Sequence, residues 1–515
     1  MPVTYQWETF SKWAQKWGTL LSSVCDIVSV TVLGQPFVIL SSATYMNLLL
    51  EKNSAISSDR PPSVVANTLV GWDRTGLTVD YNHPRLRELR RLIIQRFGTR
   101  TAVASYSHIL EQQTAQFISR IWWRPDKVTD EVRRHFGALI LNLAYGYQVE
   151  LDEDPMLKTA EETMRAISHI LTPGAMLVDL FPSLQYVPDW LPGAGWKAIA
   201  KDAKKLADEM FSKPFEFAKK QIASIADGSA LPSFTSSGMD RINSTVDEEM
   251  VKNTAGSLYA GGADTSVSAI CSFFLAMMCY PEIQDRARQE IDRVVGCDRL
   301  PQLSDREHLP YINAICLEVL RWNPVTPIGI PHRLSKDIVL EDYFLPKGSI
   351  IVANIWKHLH DPHIHSEPYQ FKPERFLPSD TGLQPEPNPR NLVFGFGRRT
   401  CPGAHLAEAS IFLMCAMSLA VFDIAKPVGN GVVLEPKIEY TGGTVSHPQS
   451  YKCLIRTRSR KVETLLKALD GDSGSYERTM NITLLSIDTG DKDGSNAIAD
   501  ILRALSPRLP VGRDN

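Results

Sequence analysis

The sequence predicts a mainly α protein of the α+β kind, with many helices and little sheet. Three stretches carry that reading. Ala404 to Phe422 is apolar and free of Pro and Gly, as a buried helix would be. Thr245 to Cys279 reads as a second long helix. Thr245-Val246-Asp247-Glu248 fits a capping box at its start, and Tyr280-Pro281 stops it. Strand-like runs are few: Ile27 to Leu33 and Pro36 to Leu40, joined by a turn at Gly34-Gln35.

The other elements follow in order. Met1 to Gly18 is rich in Trp, Lys and Gln and predicts a short helix. Ala43 to Asn53 predicts another, followed by the turn Ser57-Ser58-Asp59-Arg60-Pro61. Arg85 to Phe97 is helical in period and strongly basic, carrying Arg85, Arg87, Arg90, Arg91 and Arg96. Val128 to Gly146 is a helix. Asp179 to Gly193 is apolar but punctuated by Pro182, Pro188 and Pro192, so it predicts a loop. Ser224 to Asn243 is rich in Ser, Gly and Asp and predicts a linker. Leu309 to Trp322 is helical. Residues 464–515 are rich in Asp, Gly and Ser and predict a disordered tail behind a domain of residues 1–463.

Composition excludes several classes. At 515 residues the chain can bury a large core, and 43% hydrophobic with 22% charged residues is ordinary for a globular protein. A net charge of -3 argues against a general nucleic-acid binder. The eight cysteines are scattered without a CxxC pair, which suits a reducing compartment and not a disulfide framework or zinc ribbon. No signal peptide and no run of 18 apolar residues is seen.

The chemistry concentrates at Phe394-Gly395-Phe396-Gly397-Arg398-Arg399-Thr400-Cys401-Pro402-Gly403. Cys401 lies at or just before the N-terminus of the Ala404 helix. Unpaired N–H groups and the positive dipole end favour an anion there, and predict a thiol pKa below the usual value. The glycines let the backbone bend and approach a flat ligand. Arg399 is placed to meet an acid on that ligand. A lone Cys in a Gly-rich loop is most often only a small residue; the ten-residue pattern as a whole says more.

That pattern resembles the haem-binding signature of the cytochrome P-450 monooxygenases: Phe, two residues, Gly, one, Arg, one, Cys, one, Gly. Every fixed position is filled. Three further motifs match in order. Ala260-Gly261-Gly262-Ala263-Asp264-Thr265-Ser266 is similar to the family's oxygen-activation motif, although taken alone its glycines also fit a helix-packing notch. Glu318-Val319-Leu320-Arg321 resembles the family's Glu-x-x-Arg. Phe371-Lys372-Pro373-Glu374-Arg375-Phe376 resembles the element whose Arg joins that pair. The resemblance covers roughly residues 5 to 456.

The resemblance implies a helix-rich single domain with small sheets enclosing haem b, in the P-450 fold. It implies Cys401 as axial thiolate, with Phe394 and Gly403 at the cofactor. Arg90, His332 and Arg399 would neutralise haem propionates, although Leu86 stands where the family has a Trp. Asp264 and Thr265 would deliver protons to bound oxygen. Glu318, Arg321 and Arg375 would form a buried network. Ala260, Gly261, Val325 and Ile328 would border the substrate. Electrons would come from NADPH through a separate cytochrome P-450 reductase, or cytochrome b5, docked on the basic Arg85–Phe97 face. The substrate would be a small apolar compound of fungal secondary metabolism, terpenoid, polyketide or indole-type.

The family's usual place is the cytoplasmic face of the endoplasmic reticulum. This sequence shows no anchor, and its Asp179–Gly193 loop would supply any membrane contact. Thr19 to Cys25 reads as an insertion relative to fungal members. Asn481-Ile482-Thr483 is a glycosylation sequon, and His358, His360, His363 and His365 crowd one loop that a structural metal could use. Two other classes remain: a reductase-independent haem-thiolate isomerase or dehydratase, and a non-catalytic haem protein.

Overall fold

A computed structural model describes residues 2, 4–17, 26–149, 153–172, 176–225, 231–242, 247–378, 382, 384–429 and 431–473. The chain divides into two compact units, Met1–Arg458 and Ser459–Asn515.

Helices dominate the first unit. Thr265–Cys279 packs against both Val128–Tyr145 and Ala404–Val421. From Phe136 to Tyr145, from Ser266 to Met278 and from Ala409 to Val421 they bury every residue. A helix that is apolar all round must be interior. The windows Glu248–Cys279 and Ala404–Val421 are long and apolar enough to cross a membrane, yet 78% and 89% of them is buried inside the protein. They are core helices.

A four-stranded sheet flanks this bundle. Ile27–Val32 and Gln35–Leu40 form a hairpin with Ile27 opposite Leu40. Its turn is Leu33-Gly34, one residue earlier than expected, and both residues have positive φ (50° and 83°). Two left-handed residues give the turn whose twist matches the strands. Gln35–Leu40 then runs parallel to Ile350–Ala353, which pairs with His332–Arg333. Val38 and Leu40 pack with Leu49, Leu50, Leu392 and Phe396, so the sheet is tied to the loop that carries Cys401.

Three elements differ from the sequence expectations. The Thr245–Cys279 helix is two helices, Glu248–Gly262 and Thr265–Cys279, broken at Ala263 and Asp264. Asp247 caps the first, accepting from Met250 N at 2.6 Å; Thr245 lies outside the described residues. The Ser224–Asn243 linker contains a helix, Phe234–Met239, started by a Ser233/Ser236 capping box. Thr235, fully buried, donates to Ala144 O at 2.8 Å and fastens it to the core. The Asp179–Gly193 stretch winds into two short helical pieces, Leu177–Leu180 and Pro182–Tyr186. Phe181, Tyr186, Trp190 and Leu191 remain exposed on it.

In the second unit, Arg460–Ser473 is a helix. The boundary expected between residues 463 and 464 therefore falls inside a helix, and the tail cannot begin there. Residues 474–515, including the Asn481 sequon, and Thr19–Cys25 lie outside the described residues.

Candidate active site

Cys401 is held by a loop that its own backbone closes. Cys401 N donates to Phe394 O at 2.7 Å, and Thr400 Oγ1 donates to Gly397 O at 2.9 Å. Gly397 has φ +48°, and a Cβ there would lie 2.6 Å from Leu50 O. No other residue fits that position without moving backbone. Gly403 caps the Ala404–Val421 helix, and its N–H hydrogen-bonds the Cys401 thiol.

The thiol opens onto a cavity of about 390 Å³. Burial pushes the Cys401 pKa up, against the opposing Gly403 N–H and the Arg90 charge. The side chain is itself exposed in the open cavity, so this rise comes from the protein packed around the cavity and not from a sealed thiol. A coordinated metal ion would reverse the balance, because it deprotonates the thiol that binds it.

The broken helix lines the same cavity with Ala260, Gly261, Asp264 and Thr265. Nothing lies within 4 Å of where a Gly261 Cβ would stand, whereas one at Gly262 would meet Ile140 Cδ1 at 2.9 Å. One glycine opens the groove; its neighbour is the packing notch. Thr265 Oγ1 donates to Gly261 O at 2.8 Å, satisfying a carbonyl beside the break. Asp264 Oδ2 lies 3.2 Å from His447 Nε2, and Oδ1 lies 3.6 Å from Arg133. Burial raises the Asp264 pKa, but the hydrogen bond from His447 and the nearby Arg133 guanidinium oppose it, and the net shift is downward.

Cations gather on a third wall: Arg60, Arg90, Arg399 and His332. Arg399 donates to Ser58 O at 2.7 Å, to Gly76 O at 3.0 Å and to Val79 O. Arg90 donates to Thr400 O at 2.8 Å. Arg60 donates to Ile330 O at 2.6 Å and Pro331 O at 2.8 Å. Burial, then repulsion from Arg399 and Arg90, holds the Arg60 pKa well below the usual value. Burial, then Arg90, brings Arg399 down to about 10. His332 is pushed well below its ordinary range by burial and Arg60, and its Nδ1 meets Ser57 O at 2.6 Å. With Nδ1 committed to Ser57 O, Nε2 is the ring atom left to meet a propionate.

This wall tests whether haem fits. Guanidiniums crowded together with mainly carbonyl partners are costly, and a bound dianion relieves them. A largely apolar cavity lined by a thiol and three guanidiniums suits an apolar dicarboxylate such as haem.

The cytochrome P-450 family model matches residues 14–455. This chain belongs to the cytochrome P-450 family. It is 48% identical over 472 residues to cytochrome P-450 monooxygenase 208 of Postia placenta, covering 91% of this chain and 89% of that one. It is 43% identical over 448 residues to cytochrome P-450 monooxygenase claR of Ampulloclitocybe clavipes, covering 87% and 82%. A zebrafish cytochrome P-450 solved with abiraterone shares the fold, with a TM-score of 0.68 at 22% identity, covering 88% of this chain and 100% of that one.

The charge network of this P-450 centres on Glu318, in the helix Pro310–Trp322. Glu318 accepts from Arg321 at 2.8 Å on each oxygen. Arg375 Nε lies 3.1 Å from Glu318 Oε2, and Lys372 N donates to Oε1 at 2.8 Å. Glu318 and Arg321 are wholly buried. The network runs further than the sequence indicated: Arg375 Nη1 donates to Glu386 at 2.8 Å, and Glu386 meets His365 Nδ1 at 2.7 Å. This accounts for part of the histidine-rich loop. His360 stacks on Trp356 at 4.3 Å, and His358 Nδ1 accepts from Ala43 N at 3.3 Å. Among the described residues no group of three potential ligands is placed to hold a metal ion.

Val325 lines the cavity, with Thr326, Gly329 and Ile330. Ile328 does not, and its assignment to the substrate pocket is corrected. The chain turns at Gly329 (φ +61°), and Ile328 packs instead with Val28, Ile39 and Val352. Leu86 lines the cavity as an apolar side chain where the family has a donor. The basic helix is less positive than its sequence: Arg85 pairs with Asp247 and Glu249, and Arg91 with Glu88. Arg60, Arg133, Glu386 and His447 were not singled out from the sequence. Only Arg60 carried a signal, a charged residue inside a Ser-Ser-Asp-Arg-Pro turn.

Proposed function

We propose that this P-450 monooxygenase inserts one oxygen atom of O2 into a C–H or C=C bond of a small apolar terpenoid, polyketide or indole-type compound of fungal secondary metabolism. One observation carries the reading: a single, largely apolar cavity has both Cys401 and the Asp264–Thr265 pair in its lining. Relatives named claR and ppsD, both monooxygenases of fungi, point the same way. Haem b, with Cys401 as its thiolate ligand, would supply oxygen activation, using NADPH electrons from a separate reductase or cytochrome b5.

The chain's own residues do the rest. The Gly403 N–H holds the sulfur. Arg90 and Arg399, with Arg60, receive the carboxylate edge, and Phe394 and Gly403 border the cofactor. Ala260, Gly261 and Val325 leave room for the substrate. Thr265 presents a hydroxyl at the cavity, and the carboxyl of its neighbour Asp264, which also lines the cavity, would deliver protons there. Water is excluded elsewhere by the leucines and isoleucines that complete the walls.

P-450 proteins are typically associated with the endoplasmic reticulum. Exposed Phe181, Tyr186, Trp190 and Leu191 support contact of this chain with the cytoplasmic face of that membrane.

The test is spectral titration of the haem-bound protein with a panel of these compounds, then turnover of each binder with reductase and NADPH. Oxygenated product that requires NADPH supports the reading. Product formed without NADPH overturns it in favour of an isomerase or dehydratase.

A further inference from the structure

Asp264 presents two carboxylate oxygens, and each has a different partner. Arg133 approaches Oδ1 at 3.6 Å from a half-exposed position. His447 Nε2 approaches Oδ2 at 3.2 Å and is itself mostly buried. Of the two, only the imidazole has a second ring nitrogen that can take up a proton while the first gives one away; a guanidinium keeps its own. His447 stands behind Asp264 and is not among the cavity-lining residues, whereas Asp264 is. The order from the cavity outwards is therefore Thr265 and Asp264, then His447.

The loop that carries His447 is fixed from several sides. Its N–H donates to Thr441 Oγ1 at 3.0 Å, and Thr441 N donates back to His447 O at 2.7 Å. Ser446 N donates to Val325 O at 2.9 Å, and Ser446 O accepts from Asn323 Nδ2 at 3.3 Å. Such anchoring holds the ring against Asp264. Its other nitrogen is different: His447 Nδ1 is buried and has no hydrogen-bond partner. A buried polar atom without a partner is costly and calls for a water. With Nε2 hydrogen-bonded to a carboxylate, Nε2 carries the proton and Nδ1 keeps a lone pair able to accept one.

We infer that His447 is the residue that resupplies protons to Asp264, forming the outer station of the path to the oxygen site. A proton from solvent binds Nδ1. The Nε2 proton passes to Asp264 Oδ2, making the acid neutral and leaving the ring as the Nδ1–H tautomer. Asp264 then gives its proton towards Thr265 and the cavity, and the ring recovers by exchange with water. One proton enters and one leaves, and no electron moves. Arg133 stays charged and keeps Oδ1 occupied, so the transferred proton resides on Oδ2. The other titratable groups acting in this region are Glu161, Asp130, Tyr259 and Cys271. The ring alone joins a direct hydrogen bond to Asp264 with an unpaired nitrogen.

The inference rests on the proton-delivery role proposed for Asp264, and the experiment separates the two. The haem-bound wild type, His447→Gln, Asp264→Asn and the double variant are compared for product and hydrogen peroxide per NADPH across pH, with the reduced carbon monoxide spectrum as a check on haem. Gln keeps an N–H for Asp264 but cannot carry a proton. His447→Gln is expected to keep haem and lower product per NADPH roughly tenfold, below the usual general acid–base effect because water replaces part of the path. It should also lose the wild-type pH dependence of coupling, and the double variant should be no worse than Asp264→Asn. Wild-type coupling in His447→Gln beside an uncoupled Asp264→Asn overturns the His447 role alone. So does an additive double variant. Full coupling in Asp264→Asn overturns the proton-delivery reading itself. Ring-nitrogen resonances of isotope-labelled histidine give a readout independent of turnover. The signal that shifts in Asp264→Asn should belong to an Nε2–H tautomer in the wild type; an Nδ1–H tautomer overturns the inference even if His447→Gln fails to take up haem.

Discussion

Two parts of the cavity lining, the Cys401 wall and the Asp264 wall, are built on opposite principles. On the Cys401 side, backbone closes on backbone, Gly397 sits where no side chain fits, and Glu318 is enclosed by two guanidiniums and a main-chain N–H. On the Asp264 side the helix is interrupted, Gly261 faces open space, and the carboxylate is shared between a half-exposed Arg133 and a histidine with one idle nitrogen. A charge network sealed from water fixes geometry, because neither partner can leave without stranding the other. A carboxylate with a titratable neighbour trades some of that rigidity for proton exchange. The ligand wall is thus constructed to stay still, and the oxygen wall to pass protons.

The largest expected effect breaks the first wall outright. Cys401→Ser should remove the red-shifted Soret band of the reduced carbon monoxide complex and all turnover, since serine oxygen is not a thiolate. A normal band in that variant would remove Cys401 as ligand. Glu318→Ala comes next. It leaves Arg321 and Arg375 buried without their shared carboxylate, at a cost of about 3–5 kcal/mol. The expected result is little soluble, haem-loaded protein. Wild-type haem content and melting temperature would show that the network adds nothing to the Cys401 wall.

These two predictions concern residues that were legible in the sequence, and the reason is local. The Cys401 loop is a contiguous run whose turns need Gly at fixed places. Glu318 and Arg321 are one helical turn apart, so their pairing follows from the helix. The oxygen wall was legible only in part. Asp264 and Thr265 are adjacent, but His447 lies 183 residues from Asp264, and no local pattern marks it. Arg133 sits on another helix again. The same limit explains Ile328: an apolar residue in a Pro- and Gly-flanked run gives no sign of which way the turn at Gly329 will point it. The helix break at Ala263-Asp264 was missed because Gly261 and Gly262 fit a packing notch in a continuous helix as well as they fit a break.

The third prediction compares the two walls directly. Thr265→Ala should leave haem content and the carbon monoxide band unchanged, since the hydroxyl touches only Gly261 O. Product per NADPH should fall while peroxide rises, by about 10²-fold at most, because a water can stand in for the hydroxyl. Loss of haem instead of coupling would mean that Thr265 belongs to the rigid part of the site. Unchanged coupling would remove its part in proton transfer.

The smallest effect is the sharpest test of how the groove is opened, because it sets two neighbouring glycines against each other. In a helix, Gly costs about 1 kcal/mol relative to Ala, so each Gly→Ala change starts with that gain available. At Gly261 the new methyl meets nothing within 4 Å. Its position near the helix end reduces the gain, so Gly261→Ala should raise stability by somewhat less than about 1 kcal/mol. At Gly262 the methyl would stand 2.9 Å from Ile140 Cδ1 and 3.2 Å from Cγ1. The isoleucine must turn or the helix must shift, and overpacking of this kind typically costs about 1–3 kcal/mol. Gly262→Ala should therefore be neutral to destabilising. The two variants differ in sign for the same chemical change, and melting of the haem-bound proteins reads the difference. Ile140→Val in the Gly262→Ala background should recover part of the loss by removing the Cδ1 methyl. If both glycines respond alike, the groove owes its opening to the break at Ala263-Asp264 and not to Gly261, and the contrast between the two walls rests on that break alone.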